Sequence, residues 1–160
     1  MEKNQKPPIL VRDARPGDIQ FIADCNYRLA EETEDKTLDR ELLVQGIRRG
    51  LANGGLCRYF VAEVEGRPVG TTMLTYELTD WRDGVIWWLQ SVYVLPEFRN
   101  KGVFRSVYHH IEELARGRSE VRGLRLYVRR DNDRAIQTYR ALGMVDAGYD
   151  VLEKEWAHNE

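Results

Sequence analysis

The spacing of apolar residues changes period several times along this chain, and each change marks an element. Ile9, Leu10 and Val11 form a short apolar run that predicts a first strand. Arg15-Pro16-Gly17-Asp18 is turn chemistry, with Asp18 placed to cap a helix whose inner face carries Ile19, Ile22, Cys25 and Leu29. A second helix is predicted over 38–51 from Leu43, Ile47 and Leu51, four residues apart, and Asn53-Gly54-Gly55 ends it. The period then drops to two. Residues 58–64 and 69–78 are β-rich and flank the turn Glu65-Gly66-Arg67-Pro68, which predicts a hairpin. Over 84–94, Val85, Trp87, Leu89 and Tyr93 alternate with Ile86, Trp88, Val92 and Val94. A strand apolar on both faces is a central strand covered on two sides. Its one small polar pair, Gln90-Ser91, predicts a bulge or a site, because polar groups there must find partners.

The helical period returns after Gly102. Val103, Val107, Ile111 and Leu114 lie on one stripe, with Arg105, His109, Glu112 and Arg116 away from it. Residues 124–128 read as a fifth strand. Asp131-Asn132 caps a short helix bearing Ala135, Tyr139 and Leu142, and Gly143 stops it. Segments 144–145 and 149–155 read as two closing strands. The order is strand, two helices, three strands, helix, strand, helix, two strands, with no repeat, low-complexity tract or internal linker. A chain of 160 residues in this order is most simply one domain, 1–160.

Composition narrows the class. The net charge of −2 gives no bulk attraction to nucleic acid. Its distribution is uneven: 99–140 holds 11 Lys/Arg against 5 Asp/Glu, while Glu31-Glu32-Thr33-Glu34-Asp35 is the densest acidic cluster. Such polarity suits an anionic ligand at one end and a cationic one at the other, although surface charge also varies without purpose. Cys25 and Cys57 sit in no CxxC pair and make no disulfide framework, which fits a reduced, cytoplasmic protein. Residues 1–8 are polar with two prolines and lack a signal-peptide core, and no apolar run approaches the ~20 residues a bilayer span needs. A soluble protein without a membrane partner is expected.

The most informative run is Val92-Tyr93-Val94-Leu95-Pro96-Glu97-Phe98-Arg99-Asn100-Lys101-Gly102-Val103-Phe104-Arg105. A strand feeding a glycine turn and then a helix N-terminus makes an anion site. The first-turn amides lack intrahelical partners, and the helix dipole adds positive potential. Arg99, Lys101 and Arg105 place three cations around the turn, so the expected ligand is a phosphate or pyrophosphate.

On these residues the chain resembles the GCN5-related N-acetyltransferase superfamily over nearly its whole length. The family's Q/R-x-x-G-x-G/A turn, which binds the pyrophosphate of acetyl-coenzyme A, is matched by Arg99 and Gly102 in Arg99-Asn100-Lys101-Gly102-Val103-Phe104. Phe104 replaces the final small residue, but its backbone N–H remains available while the ring turns aside. A second marker, Asn then A-x-x-x-Y and a glycine turn, is matched by Asn132, Ala135, Tyr139 and Gly143. Two motifs in the right order on the right elements are specific. The stretch 75–94 also bears a looser likeness to the diamine and spermidine N-acetyltransferases. Gln90 stands where that branch carries a carboxylate.

The resemblance implies an α/β (α+β) fold with a central, mostly antiparallel seven-stranded sheet flanked by about four helices and splayed between strands 4 and 5. It implies acetyl transfer from acetyl-coenzyme A to a primary amine of a polyamine-like or amino-acid-like molecule, by direct attack in a ternary complex and without a metal. Amides of Val92, Tyr93 and Val94 would pair with the pantetheine arm, and one near Val92 would polarise the thioester. Arg99, Asn100, Lys101, Gly102, Val103, Phe104, Arg105, Asn132 and Tyr139 complete the cofactor set. Tyr139 is the candidate general acid, since a phenol with a pKa near 10 suits a departing thiolate. Periodicity alone reads Tyr139 as inner-face packing; the motif gives it the acid role. A homodimer is common in the family.

The base is open. Gln90 cannot titrate. A water chain to Glu77 or to the acidic cluster is one route, and capture of the neutral amine fraction is another, since positioning supplies much of the acceleration. Glu32, Glu34, Asp35, Glu77 and Gln90 are the candidate substrate residues. His109-His110 diverge by about 100° on a helix and have no partner at ligand spacing, so they read as surface residues. At least one of Trp87 and Trp88 is core by alternation. The basic residues over 122–134 lack interleaved aromatics, against nucleic-acid binding. Acetylation of a protein amine, or acyl-coenzyme A binding without catalysis, are the competing classes.

Overall fold

A computed structural model describes residues 7–156, so the leader reading of 1–8 falls outside the described residues up to position 6. The elements are β1 Ile9–Asp13, α1 Ile19–Glu34, α2 Arg40–Leu51, β2 Cys57–Val64, β3 Arg67–Thr79, β4 Gly84–Val94, α3 Val103–Arg116, β5 Val121–Leu126 and α4 Asp133–Ala141. They fall into two compact units, one ending at Tyr127 and one beginning at Val128.

The first unit is built on a five-stranded sheet in the order β1-β2-β3-β4-β5, antiparallel throughout except for the parallel β4–β5 pair. Its turns follow local chemistry. Glu65 and Gly66 both take positive φ, 51° and 76°, in the two-residue connection that matches the twist of β2 and β3. Asp39 starts α2 by accepting from the amides of Glu41 and Leu42 at 2.8 and 3.0 Å.

Strand alternation sorts side chains onto two faces. Tyr59 pairs with Met73 and Thr75 with Trp88, and on this face Cys57 and Tyr59 pack with Ile22, Ala23 and Ile47 of α1 and α2. Phe60, Leu74 and Leu89 lie on the opposite face, fully buried, and Phe60 meets the ring of His110 in α3 edge-on. The central position expected for β4 is the one it occupies, between β3 and β5.

Several expectations are corrected. The sheet has five strands, not seven: among the described residues 144–156 makes no ladder. A strand needs a partner for its backbone groups and a face to bury. Here Val145, Tyr149, Val151 and Leu152 stay exposed, a turn closes between Asp146 and Gly148, and Asp150 is held by Arg130. β5 occupies 121–126 rather than 124–128, because its pairing with β4 begins at Val85–Val121. Asp18 does not cap α1 with its side chain. Its carboxylate accepts the Arg15 amide at 2.7 Å and pairs with Arg12, closing a 3-10 turn before the helix. In α3 the buried stripe includes Tyr108 and Ala115, with Leu114 only half-buried.

Candidate active site

β4 carries the first part of the site. Thr71 pairs with Tyr93 and Met73 with Gln90, so two residues of β4, Ser91 and Val92, oppose Thr72 alone. This is a β-bulge, with Ser91 at φ 50°, at the polar pair singled out in the sequence. Thr72, fully buried, donates its hydroxyl to the Gln90 carbonyl at 2.9 Å. Pairing of β4 with β5 ends at Leu89–Leu126, so 90–94 runs on without a ladder partner in β5. Val92, Tyr93 and Val94 therefore belong to the open stretch of that strand edge.

After Val94 the chain makes a 3-10 turn at Pro96–Phe98 and enters the glycine turn. Asn100 and Gly102 take positive φ, 62° and 91°, and Gly102 is the N-cap of α3. As the N-cap, Gly102 brings no side chain to this helix end, whose first-turn amides have no partner within the helix itself. A Cβ at Gly102 would meet nothing within 4 Å: the space before the helix is open, as a diphosphate approaching the backbone requires. Gly70 of β3 does the complementary work. A Cβ there would crowd the Tyr93 carbonyl at 3.1 Å and the Val103 side chain at 3.2 Å, so its absence lets α3 begin directly on the ends of β3 and β4.

The cations of the turn differ in their engagement. Arg99 turns inward, donating Nε to the Val94 carbonyl at 3.0 Å and a terminal nitrogen to Glu32 at 2.7 Å. Lys101 lies over the Phe98 ring at 5.4 Å and is exposed, as is Arg105. Val103 is buried, and the half-buried Phe104 ring leans towards Tyr108 with centroids 6.2 Å apart.

The acidic candidates do not gather into one cluster. Glu32 accepts from Tyr93 and Arg99, Glu34 pairs with Lys36 at 3.1 Å, and Asp35 ends α1 at φ 52°. Burial works against the Glu32 carboxylate, but the bonds from Tyr93 and Arg99 outweigh it and hold its pKa below the usual range. The same contact, after burial, pushes the Tyr93 phenol up to about 12.

Glu77 and Gln90 share one sheet face with Thr75, Trp88 and Arg125. Glu77 accepts the Trp88 indole N–H at 2.6 Å and an Arg125 nitrogen at 3.0 Å. Gln90 donates to Thr75 at 2.6 Å. The Trp88 and Tyr127 rings lie 4.5 Å apart, while Trp87 is core. Sequence reasoning missed Thr72, Arg125 and Tyr127, whose parts depend on pairing across three strands. A regular alternation around Trp88 was the only available signal.

In the second unit, Asn132 caps α4 by accepting the Ala135 amide at 3.1 Å. Tyr139 is half-buried on this helix, and burial raises its phenol above the ordinary value. Gly143, at φ 87°, follows the helix end. His109 faces Glu112 at 3.6 Å, and among the described residues no group of His, Cys, Asp and Glu is arranged to hold a metal. No helix among them is long and apolar enough to cross a membrane.

The model of the acetyltransferase (GNAT) family matches residues 20–144. The chain belongs to this family. It is thus an enzyme of the acyltransferase class, in a family that uses acetyl-coenzyme A as acyl donor. It is similar to the thialysine N-epsilon-acetyltransferase of Bos taurus, 30% identical over 150 residues that cover 86% of this chain and 85% of the relative. A solved structure described as a possible acetyltransferase from Clostridium difficile 630 is 39% identical, with a TM-score of 0.87 over 94% of this chain and 99% of that one. The GNAT fold is shared as well with an aminoglycoside N-acetyltransferase solved in complex with coenzyme A, at 13% identity, a TM-score of 0.75 and coverage of 97% and 99%.

Proposed function

We infer that this GNAT enzyme acetylates a primary amine of a small molecule, polyamine-like or amino-acid-like, by direct attack within a ternary complex. The observation that carries the reading is the continuity of the β4 edge at 90–94, beyond the β5 ladder, with the glycine-led N-terminus of α3. Together they offer a strand partner for an extended amide-bearing arm and an anion seat beyond it. The donor supplies an activated acyl group. The chain's residues bind and orient it: amides near Val92 to Val94 along the arm, those of the α3 first turn with Asn100, Lys101, Val103, Phe104 and Arg105 at the diphosphate. An amide near Val92 directed at the reacting carbonyl stabilises the oxyanion.

Tyr139 is read as the general acid. Burial keeps its phenol protonated well into alkaline pH, which suits a proton donor to a leaving thiolate. On the acceptor side, Glu77 and Gln90 form the polar wall, with Glu34 and Asp35 as outlying negative charge. Gln90 carries no charge and is tied to Thr75, so the amine enters neutral by partition from its protonated pool, and positioning supplies the remaining acceleration. The similarity to a thialysine acetyltransferase favours an amine that bears its nucleophile on a short flexible arm. The free, buried Cys25 and Cys57 fit a reducing compartment, and a cytoplasmic location is part of the reading.

Thiol release from acetyl-coenzyme A across a panel of diamines, lysine-like amino acids and peptides, with products identified by mass spectrometry, tests it. Acetylation of diamines or free amino acids is expected. Turnover with peptides alone would replace the small-molecule reading.

A further inference from the structure

We propose that Glu32 is a positioning residue of the coenzyme turn, acting through Arg99, and not a contact of the amine. The assignment rests on the coenzyme reading of that turn. Both oxygens of the Glu32 carboxylate are used, and by residues at the two ends of one short segment. Tyr93, at the end of β4, donates its hydroxyl at 2.5 Å, and Arg99, at the start of the glycine turn, donates at 2.7 Å. Arg99 also binds the Val94 carbonyl at 3.0 Å and lies over the Tyr93 ring at 5.2 Å.

Between those two residues lies the Pro96–Phe98 turn. The carboxylate therefore staples the exit of β4 to the entry of the glycine turn. Where the chain leaves Arg99 sets where Asn100 and Gly102 place their positive φ, and so the direction in which the α3 amides point. Arg99 commits two of its nitrogens to the Val94 carbonyl and to Glu32, in a pair that stays partly exposed, with its charge met by Glu32. The free cationic attraction at the turn falls to Lys101 and Arg105. Glu32 lies in the last turn of α1, so one side chain also joins that helix end to the coenzyme turn.

An amine-binding carboxylate and a turn-positioning carboxylate give opposite kinetic signatures. With Glu32→Ala, the KM for acetyl-coenzyme A and the Kd for coenzyme A are expected to rise about fivefold, with kcat and the amine KM unchanged. Arg99→Ala is expected to do the same. The double variant is expected to be no worse than either single one, because the two residues form one unit. A raised amine KM with unchanged coenzyme affinity overturns the proposal, as does a double variant whose losses multiply. Calorimetry on the wild type separates the underlying reading. A wild type without coenzyme A affinity overturns both, whereas a wild type that binds, alongside a Glu32→Ala variant that binds equally, overturns this assignment alone.

Discussion

Thr72 donates a hydrogen bond of 2.9 Å to the carbonyl of Gln90 at the place where Ser91 turns the central strand out of its regular path. A bulge frees backbone groups from the ladder, and a buried group so freed must be met elsewhere. The Thr72 hydroxyl reaches the bulge from the neighbouring strand and fixes the Gln90 carbonyl where the register breaks, and residues 90–94 run on beyond the β5 ladder.

Replacing Thr72 with Val keeps the shape and removes the donor. The Gln90 carbonyl loses that hydrogen bond, and stability is expected to fall by about 0.5–1.5 kcal/mol in urea unfolding. The KM for acetyl-coenzyme A should rise alongside, and Thr72→Ser should recover part of both. Unchanged stability in Thr72→Val would mean that the bulge is set by other contacts.

Gly102→Ala separates strain from collision. Nothing lies within 4 Å of the added carbon, so the cost comes from a φ of 91° imposed on an L-residue, about 1–2 kcal/mol. The methyl group also projects into the space before the α3 amides. Coenzyme A affinity measured by calorimetry is expected to drop about tenfold, more than the loss of stability alone would produce. Equal affinity in the variant would move the diphosphate seat elsewhere.

Arg12 binds Asp18 at 2.7 Å and Glu63 at 2.5 Å in a nearly dry setting, the three side chains being 16%, 9% and 15% exposed. The Arg12 hydrogen bond is the main reason that the Asp18 pKa lies below the ordinary carboxylate value, against the opposing effect of burial. A depressed folded pKa contributes stability that is present above about pH 4 and lost as pH falls through the folded value. Arg12→Met leaves the buried Asp18 carboxylate without its guanidinium partner and should cost about 3–5 kcal/mol at pH 7. Removing the guanidinium takes away the largest cause that holds the Asp18 carboxyl down, so the variant should lose less stability than the wild type as pH falls from 7 through 4. Denaturation across that range reads the difference directly, and parallel profiles for the two proteins would refute the linkage.

Tyr139→Phe tests the acid. Coenzyme A affinity should persist while kcat falls by about a hundredfold, the lower end of what general acid catalysis contributes. Because burial raises the phenol, the alkaline limb of the wild-type kcat profile should lie on the alkaline side of an ordinary tyrosine and vanish in the variant. Full turnover in Tyr139→Phe would remove the assignment.

Local patterns announced the hairpin at Glu65-Gly66, the central strand 84–94 with its bulge, and the helix opening at Gly102, because each depends on residues close in sequence. The two closing strands were misread for the converse reason. Apolar residues at 145, 149 and 151 satisfy a strand pattern, but a ladder needs a partner that the pattern does not contain. The acidic run 31–35 read as one cluster, yet the end of α1 sends Glu32 and Glu34 to different partners and leaves Asp35 as a cap.

By itself the sequence determined the chemistry on offer: a glycine turn before a helix N-terminus, a phenol on a capped helix, and a polar break within an apolar strand. Only the tertiary structure decided which of those groups are engaged and with whom. Turn geometry and helix ends follow from neighbouring residues, whereas Glu32 on Arg99, Thr72 on Gln90 and Glu77 on Trp88 span separations of 67, 18 and 11 positions. Contacts of that kind are fixed by strand register and helix packing, and these arise from burial of the whole core and not from any one stretch of chain.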